Sequence, residues 1–183
     1  MAAEVIIIVG PQGSGKGTQA EILANRLHGL HLSTGQMFRE RKDKVVLDQI
    51  DNGKLAPSEN FREVVSAALR ASDPNQIIVL DGVARKLPEA QWLFSLLGQL
   101  GRKLSYVIIL EIPRSESVAR LLRREGSEHR ADDNEIGINN RLDYFEKETL
   151  PVIEFWNSLG VTRVVDGLGS INEVTQRINR IIK

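Results

Sequence analysis

The chain has 183 residues, and its 24 lysines and arginines are balanced by 24 aspartates and glutamates. This balance excludes a bulk attraction to nucleic acid or to an acidic membrane surface, so partners must be recognised locally. The absence of cysteine excludes disulfides and thiolate metal sites, and it favours a reducing, cytoplasmic setting. The length fits one domain with small insertions, and the longest apolar runs are too short to span a bilayer.

Apolar strands alternate with amphipathic helices along the chain, which is the pattern of a parallel α/β fold. Strands are predicted at 5–9, 30–32, 77–80, 106–112 and 161–165. Helices are predicted at 16–28, 58–70, 88–97, 115–124, 134–157 and 170–182. Ligands of such sheets bind beyond the carboxyl ends of the strands, so the loops at that edge are the candidate site.

A glycine-rich segment, Gly-Pro-Gln-Gly-Ser-Gly-Lys-Gly-Thr at 10–18, joins the first strand to the first helix. Glycine adopts backbone conformations closed to other residues, so successive N–H groups can converge on one anion at the helix N-terminus. A glycine-rich turn without a ligand is the alternative, and the flanking strand and helix argue against it. We therefore expect the phosphates of a nucleoside triphosphate here, held by Gly13, Ser14, Gly15, Lys16, Gly17 and Thr18.

The segment departs from the pattern G-x-x-x-x-G-K-[ST] at its last position, where Gly17 replaces the residue whose hydroxyl binds Mg²⁺. Thr18 comes one residue late. We expect Mg²⁺ to be held by phosphate oxygens and water instead, because it dehydrates reluctantly. Asp81 ends the strand predicted at 77–80 and is predicted to hold one water of the Mg²⁺ shell. The alternative is that Asp81 caps the turn before Gly82.

Arginines are concentrated in the second half of the chain. Phosphoryl transfer spreads charge over three equatorial oxygens, which planar guanidinium groups pair with in ways that lysine cannot. We expect this role for Arg120, Arg124, Arg130 and Arg141. Three others are expected on solvated helix faces: Arg102, Arg114 and Arg123.

Five short motifs follow one another at a specific spacing. They are the segment 10–18, Leu-Ser-Thr-Gly-Gln-Met-Phe-Arg at 32–39, Gly-Lys-Leu-Ala-Pro at 53–57, Asp-Gly-Val-Ala-Arg at 81–85, and Arg-Ala-Asp-Asp-Asn from 130 followed by Arg141. In this order they resemble the motifs of adenylate kinases, in the nucleoside-monophosphate kinase family, in the form with a short lid. The resemblance implies Mg²⁺-dependent, reversible transfer of the terminal phosphoryl group of ATP to AMP, giving two ADP.

The resemblance also implies a P-loop fold of three layers around a central parallel sheet of five strands, with two small insertions that close over the substrates. The core would comprise 1–32, 63–124 and 135–183, the NMP-binding insertion 33–62 and the lid 125–134. It implies a monomer whose partners are ATP and a nucleoside monophosphate, without nucleic acid or membrane.

Individual roles follow from the resemblance. Lys16 would bind the β- and γ-phosphates of ATP, and Arg120 would stack on its adenine beside the backbone of Gly169. The acceptor would be contacted by Thr34, Arg39, Lys54, Leu55, Ala56, Gly82, Arg85 and Glu89. The phosphoryl group in transfer would be surrounded by Arg124, Arg130 and Arg141, with Arg85 and Lys16 essential.

Several positions depart from the usual residues of the family. Gln36 replaces an aspartate suspected of contacting the hydrated metal, and His129 replaces a glycine of the lid. Val83 and Ala84 replace Phe-Pro, so a cis-proline bond is not available there. Glu89 stands where AMP-specific members carry glutamine. An ionised glutamate only accepts hydrogen bonds, so it suits the two adjacent donors of guanine better than the amine and ring nitrogen of adenine.

Two alternatives to an AMP kinase remain from these residues. In the first alternative the enzyme is the same but its acceptor base is guanine or a pyrimidine. Thr34 favours adenine, because pyrimidine-specific relatives usually carry alanine at this position. A P-loop nucleotide-binding switch would need an arginine supplied by another chain, and the full arginine set argues against it. We expect AMP as the acceptor.

Overall fold

A five-stranded sheet organises the structure, a computed structural model that describes residues 3–42, 46–47, 56–123 and 135–182. The strands are β1 (Glu4–Val9), β2 (Leu30–Ser33), β3 (Ile78–Asp81), β4 (Lys103–Glu111) and β5 (Thr162–Asp166). All neighbouring strands are parallel, in the order β2-β3-β1-β4-β5. The predicted parallel α/β fold is confirmed, and each predicted strand exists with bounds shifted by a few residues.

Helices connect the strands. They are α1 (Lys16–Arg26), α2 (Thr34–Arg41), α3 (Ser58–Ala71), α4 (Leu87–Gln99), α5 (Arg114–Leu122), α6 (Glu135–Tyr144), α7 (Leu150–Ser158) and α8 (Ile171–Ile181). The single helix predicted at 134–157 is interrupted by a π-helical turn, Phe145–Thr149, between α6 and α7. Helix α2 was not predicted, because it is short and buries only Thr34 and Phe38. Within the described ranges, no helix combines the length and the apolar character needed to cross a bilayer.

Helices cover both faces of the sheet, which explains why the central strands β1 and β3 are buried along nearly their whole length. In β1, Ile6 and Ile8 pack with α1 and α8, whereas Val5 and Ile7 face the opposite side, with α3, α4 and α7. This alternation follows the two-residue period of a strand. The result is an arrangement of three layers around the central sheet, as the resemblance implies.

The order of the strands reverses at β1. The chain passes from β1 to β2 and β3 on one side, and then to β4 and β5 on the other. The register pairs Asp81, the last residue of β3, with both Ile8 and Ser33, so the carboxyl ends of these strands share one edge. The glycine-rich segment therefore lies at the switch point where parallel sheets bind ligands.

Helices α5 and α6 flank the predicted lid and pack together. Leu121 of α5 forms a small buried cluster with Ile138 and Leu142 of α6. This contact fixes the two helices that carry Arg120 and Arg141.

The prediction for Arg102 was wrong. Its side chain is buried, and its guanidinium donates to the Gln76 carbonyl at 3.0 Å, the Asp73 carbonyl at 2.8 Å and Ser72 Oγ at 2.8 Å. Burial lowers the pKa of Arg102, and Asp73 partly opposes this. The Arg102 side chain is therefore buried against the turn that follows α3 instead of facing solvent.

Candidate active site

The glycine-rich segment forms the floor of the site. Gly13 and Gly15 have φ of +79° and +85°, which L-residues with a β-carbon rarely adopt. Gly15 caps α1 without a side chain, so the amides of Gly17 and Thr18 have no acceptor within the helix and suit an anion. The Lys16 ammonium bends back and donates to the Pro11 carbonyl at 3.3 Å. A positive charge thus lies directly over the segment.

Asp81 reaches the same place from the end of β3. Its Oδ2 accepts from Ser33 Oγ at 3.4 Å, and a β-carbon built on Gly17 would lie 3.3 Å from that oxygen. Among the described residues, no group donates to its buried Oδ1, nor to the buried hydroxyl of Ser14. A buried carboxylate oxygen beside a phosphate-binding segment has the chemistry to accept hydrogen bonds from the water shell of Mg²⁺.

The turn after β3 lies against the end of β2. Thr34 Oγ1 donates to the Gly82 carbonyl at 2.7 Å. Gly82 has φ of +69°, and a β-carbon there would lie 3.0 Å from Thr34 Oγ1 and 3.3 Å from the Arg85 guanidinium. The close approach of these three residues requires glycine at position 82.

One cavity joins the phosphate-binding segment to this turn. Four cationic side chains line it: Lys16, Arg39, Arg85 and Arg141. Four other residues with predicted acceptor contacts also line it: Thr34, Ala56, Gly82 and Glu89. The structure therefore brings the predicted donor and acceptor groups to one space.

The positive charge of the cavity is held in a partly dehydrated environment. Burial lowers the pKa of Arg85, while the nearby carboxylates of Asp81 and Glu89 raise it and Arg141 lowers it further. Arg141 is itself buried, and its Nε donates to the Gly137 carbonyl at 3.4 Å. Closely spaced, poorly solvated guanidinium groups favour a polyanion over water.

Arg120 connects the phosphate-binding segment to the turn after β5. Its guanidinium donates to the Gly13 carbonyl at 3.4 Å and to the Gly167 carbonyl at 3.1 Å, and it pairs with Glu116 at 2.6 Å. In the same turn, Gly169 has φ of +98°. Arg120 and Gly167 thus border one edge of the phosphate-binding segment, on the side of β5, and Gly169 follows two residues later.

Comparison with known proteins identifies the family. Residues 8–161 match the family model described as "Adenylate kinase". The chain belongs to the adenylate kinase family. The adenylate kinase of Thermobifida fusca is 36% identical over 184 residues, covering 97% of each chain. That of Leifsonia xyli is 40% identical over 179 residues, covering 94% of this chain and 90% of the relative. That of Thermus thermophilus is 35% identical over 181 residues, covering 96% and 95%.

Some residues with predicted roles in an adenylate kinase lie outside the described residues. They are Lys54 and Leu55 of the insertion and Arg124 and Arg130 beside or within the lid. The predicted lid and about a third of the predicted insertion, residues 43–45 and 48–55, lie outside them as well, so the proposed domain boundaries stay predictions.

Sequence reasoning missed several residues of the cavity, among them the hydroxyl-bearing Tyr144 and Thr149. Burial raises the pKa of Tyr144, while Lys86 lowers it. Thr149 is buried, and its hydroxyl donates to the Arg85 carbonyl at 3.4 Å. Tyr144 follows Arg141 by three residues, a helical spacing that would have found it. Thr149 is the last residue of the π-helical turn, and no local pattern indicates that its side chain reaches the cavity.

Proposed function

We propose that this chain catalyses the reaction for which its family is named, the reversible transfer of the terminal phosphoryl group of ATP to AMP, giving two ADP. The observation that carries the proposal is the shared cavity, in which Lys16 from the phosphate-binding segment and Arg39, Arg85 and Arg141 line one space. Transfer between two nucleotides requires both phosphate chains to meet in such a space.

On the donor side, the loop amides and Lys16 would hold the β- and γ-phosphates of ATP. The adenine of ATP would lie near Arg120 and Gly169. The contacts of Arg120 with the Gly13 and Gly167 carbonyls support this placement, because they hold the guanidinium plane at the rim of the phosphate-binding segment.

On the acceptor side, Arg39 and Arg85 would bind the phosphate of AMP. Arg141, together with Arg124 and Arg130, would compensate the charge that develops on the transferred group. These guanidinium groups would act by position and charge, since phosphoryl transfer needs little covalent chemistry from the protein. Closure of the insertions would exclude water and so prevent simple hydrolysis of ATP.

We propose Mg²⁺ as the cofactor, with Asp81 accepting hydrogen bonds from its water shell. The buried Oδ1 of Asp81, which lacks a donor among the described residues, supports this role. Bound with ATP, Mg²⁺ would neutralise charge on the β- and γ-phosphate oxygens.

AMP is the proposed acceptor. The alternative of GMP depended on a Glu89 carboxylate available to two donors of guanine. Its Oε1 accepts from Ser58 Oγ at 2.7 Å, and its Oε2 accepts from two backbone amides. Both oxygens are engaged within the protein, which removes the argument for guanine.

An assay of ADP formation tests the proposal. Purified protein with ATP and Mg²⁺ is offered AMP, GMP, CMP and UMP in turn, and AMP is expected to give the highest kcat/KM.

Lys16→Met should abolish turnover, and Asp81→Asn should raise the Mg²⁺ concentration needed for half-maximal rate. Arg114→Ala, an exposed arginine outside the cavity, is the control. A leading rate with GMP would overturn the acceptor, and ATP hydrolysis that ignores every monophosphate would support a switch instead.

We also propose that the protein is cytoplasmic, which agrees with its lack of cysteine. We further propose that it acts as a monomer. Sedimentation equilibrium and cell fractionation test these two points directly. A dimer that persists at low micromolar concentration, or recovery outside the cytoplasmic fraction, would contradict them.

A further inference from the structure

The turn that carries Arg85 is strained. Gly82 and Ala84 both have positive φ, of +69° and +49°. Ala84 is buried and carries a β-carbon, so its left-handed conformation is unfavourable by itself. Such conformations persist only where the surroundings determine them. Contacts made by the neighbouring Arg85 and Lys86 identify those surroundings.

The backbone of Arg85 is held at both of its polar groups. Glu89 Oε2 accepts from the amide of Arg85 at 3.2 Å and from the amide of Lys86 at 3.3 Å. On the other side, the Thr149 hydroxyl donates to the Arg85 carbonyl at 3.4 Å. These contacts fix the direction in which the Arg85 side chain leaves the turn.

The second oxygen of Glu89 connects this turn to another element. Glu89 Oε1 accepts from Ser58 Oγ at 2.7 Å. Ser58 is the first residue of α3, where the predicted NMP-binding insertion leads back toward the core. Glu89 is only 3% exposed, so water does not compete strongly for its oxygens. Hydrogen bonds to a buried carboxylate are stronger than those between neutral groups.

We propose that Glu89 is a positioning residue that holds Arg85 toward the acceptor phosphate and ties it to Ser58, and that it does not read the acceptor base. This inference rests on the proposed function. These three donors leave one acceptor position free, so a carboxylate that took both donors of a guanine would have to give up the Ser58 hydroxyl or a backbone amide. Either change would leave polar groups of the cavity wall without their partner.

Two substitutions at position 89 separate positioning from base reading. In Glu89→Gln the amide oxygen still accepts from both backbone amides, and the amide nitrogen donates to Ser58. We expect KM for AMP, kcat and the AMP to GMP preference to stay within about threefold of the wild type. Glu89→Ala removes every acceptor, and KM for AMP should rise about tenfold or more while KM for ATP stays unchanged.

Ser58→Ala tests the connection to α3 and does not depend on the folding of Glu89→Ala. It should raise KM for AMP about threefold, in the same direction as Glu89→Ala but by less. Glu173→Ala is the matched control, because Glu173 occupies the same capping position in α8, where Ser170 donates to it. It should lower the melting temperature without changing KM for AMP.

Calorimetric titration with AMP in the absence of ATP measures the affinity for AMP without turnover, and this affinity depends on the position of Arg85. Affinity should fall in the order wild type, Ser58→Ala and Glu89→Ala, with Glu89→Gln close to the wild type. A wild type that binds AMP but forms no ADP would overturn the proposed function. The order of AMP affinities among the variants would then still test whether Glu89 positions Arg85. The inference is overturned by a tenfold change in AMP to GMP preference in Glu89→Gln, by unchanged AMP affinity in Glu89→Ala, or by a wild type that binds no nucleoside monophosphate.

Discussion

A β-carbon on Gly17 would lie 3.3 Å from Oδ2 of Asp81, closer than side chains normally pack. Gly17 lies inside α1, so the tertiary contact with Asp81 restricts the residue at this position. A serine or threonine here would press against the carboxylate. The proximity of the Asp81 carboxylate therefore explains why position 17 carries glycine instead of a residue with a hydroxyl group.

Replacing Gly17 by alanine should displace Asp81 by a few tenths of an ångström. We expect kcat to fall about tenfold with little change in KM for ATP, because small misplacements at a reacting centre are costly. Gly98→Ala is the control, since a β-carbon at Gly98 in α4 meets open space. It should leave the kinetics unchanged and stabilise the fold by about 0.5–1 kcal/mol. Near-native kcat in Gly17→Ala would contradict the proposed role of Asp81.

Substitution of Arg120 should raise KM for ATP and leave KM for AMP unchanged. In Arg120→Ala the turn after β5 loses its bond to the guanidinium, and we expect KM for ATP to rise about tenfold. Arg120→Lys should restore little, because an ammonium lacks the planar fork that reaches both carbonyls. Steady-state kinetics with each substrate varied separately provide the measurement. An equal rise in KM for AMP would mean that Arg120 acts on the cavity as a whole.

Ala84→Gly should stabilise the protein, since glycine adopts a φ of +49° without the β-carbon penalty. We expect a gain of up to about 1 kcal/mol in the free energy of unfolding. The same change at Ala90, a buried residue within α4, should cost about 1 kcal/mol. Ala84→Pro should disturb the turn and weaken AMP binding, because proline fixes φ near −65°. Chemical denaturation with both glycine variants checks the opposite signs.

The cap of α8 should make stability depend on pH. Hydrogen bonds from the Ser170 amide and hydroxyl hold the pKa of Glu173 below its ordinary value, with a smaller contribution from Arg177. A carboxyl group with a lowered pKa in the folded state stabilises the protein above its unfolded pKa, about 4.3. This contribution is lost as the pH falls through the folded pKa. Glu173→Gln should therefore melt below the wild type at neutral pH, and the two melting temperatures should converge in acid. A gap that stays constant to about pH 3 would contradict the assignment.

Trp92 should report the binding of AMP by its fluorescence. Its ring packs edge-on against Phe61 at 5.7 Å between centroids, and the Arg62 guanidinium lies 5.8 Å from the ring centroid. Both partners belong to the start of α3, which the proposed closure of the insertion would move. We expect emission to change on addition of AMP, and Trp92→Phe to abolish the change. Because Trp156 is fully buried, it should contribute a constant background.

Much of the fold followed from local patterns. The apolar strands and the glycine-rich segment were predicted because continuous apolar runs and the φ requirements of glycine are recognisable within a few residues. Helix α2 and the π-helical turn were not, since neither has an apolar pattern that distinguishes it from its surroundings. Arg102 was misjudged because its acceptors, at the end of α3, are separated from it by 26 to 30 residues.

The phosphate-binding segment, the parallel sheet and the set of cations that a nucleotide kinase needs could be predicted, because they depend on residue type and short spacing. Which of these groups meet depends on the tertiary structure. It turned Glu89 toward Ser58 and the amides of the Arg85 turn, and it brought Thr149 to the other side of that turn. The hydrogen-bond partners of Glu89 are set by the packing of elements that are distant along the chain.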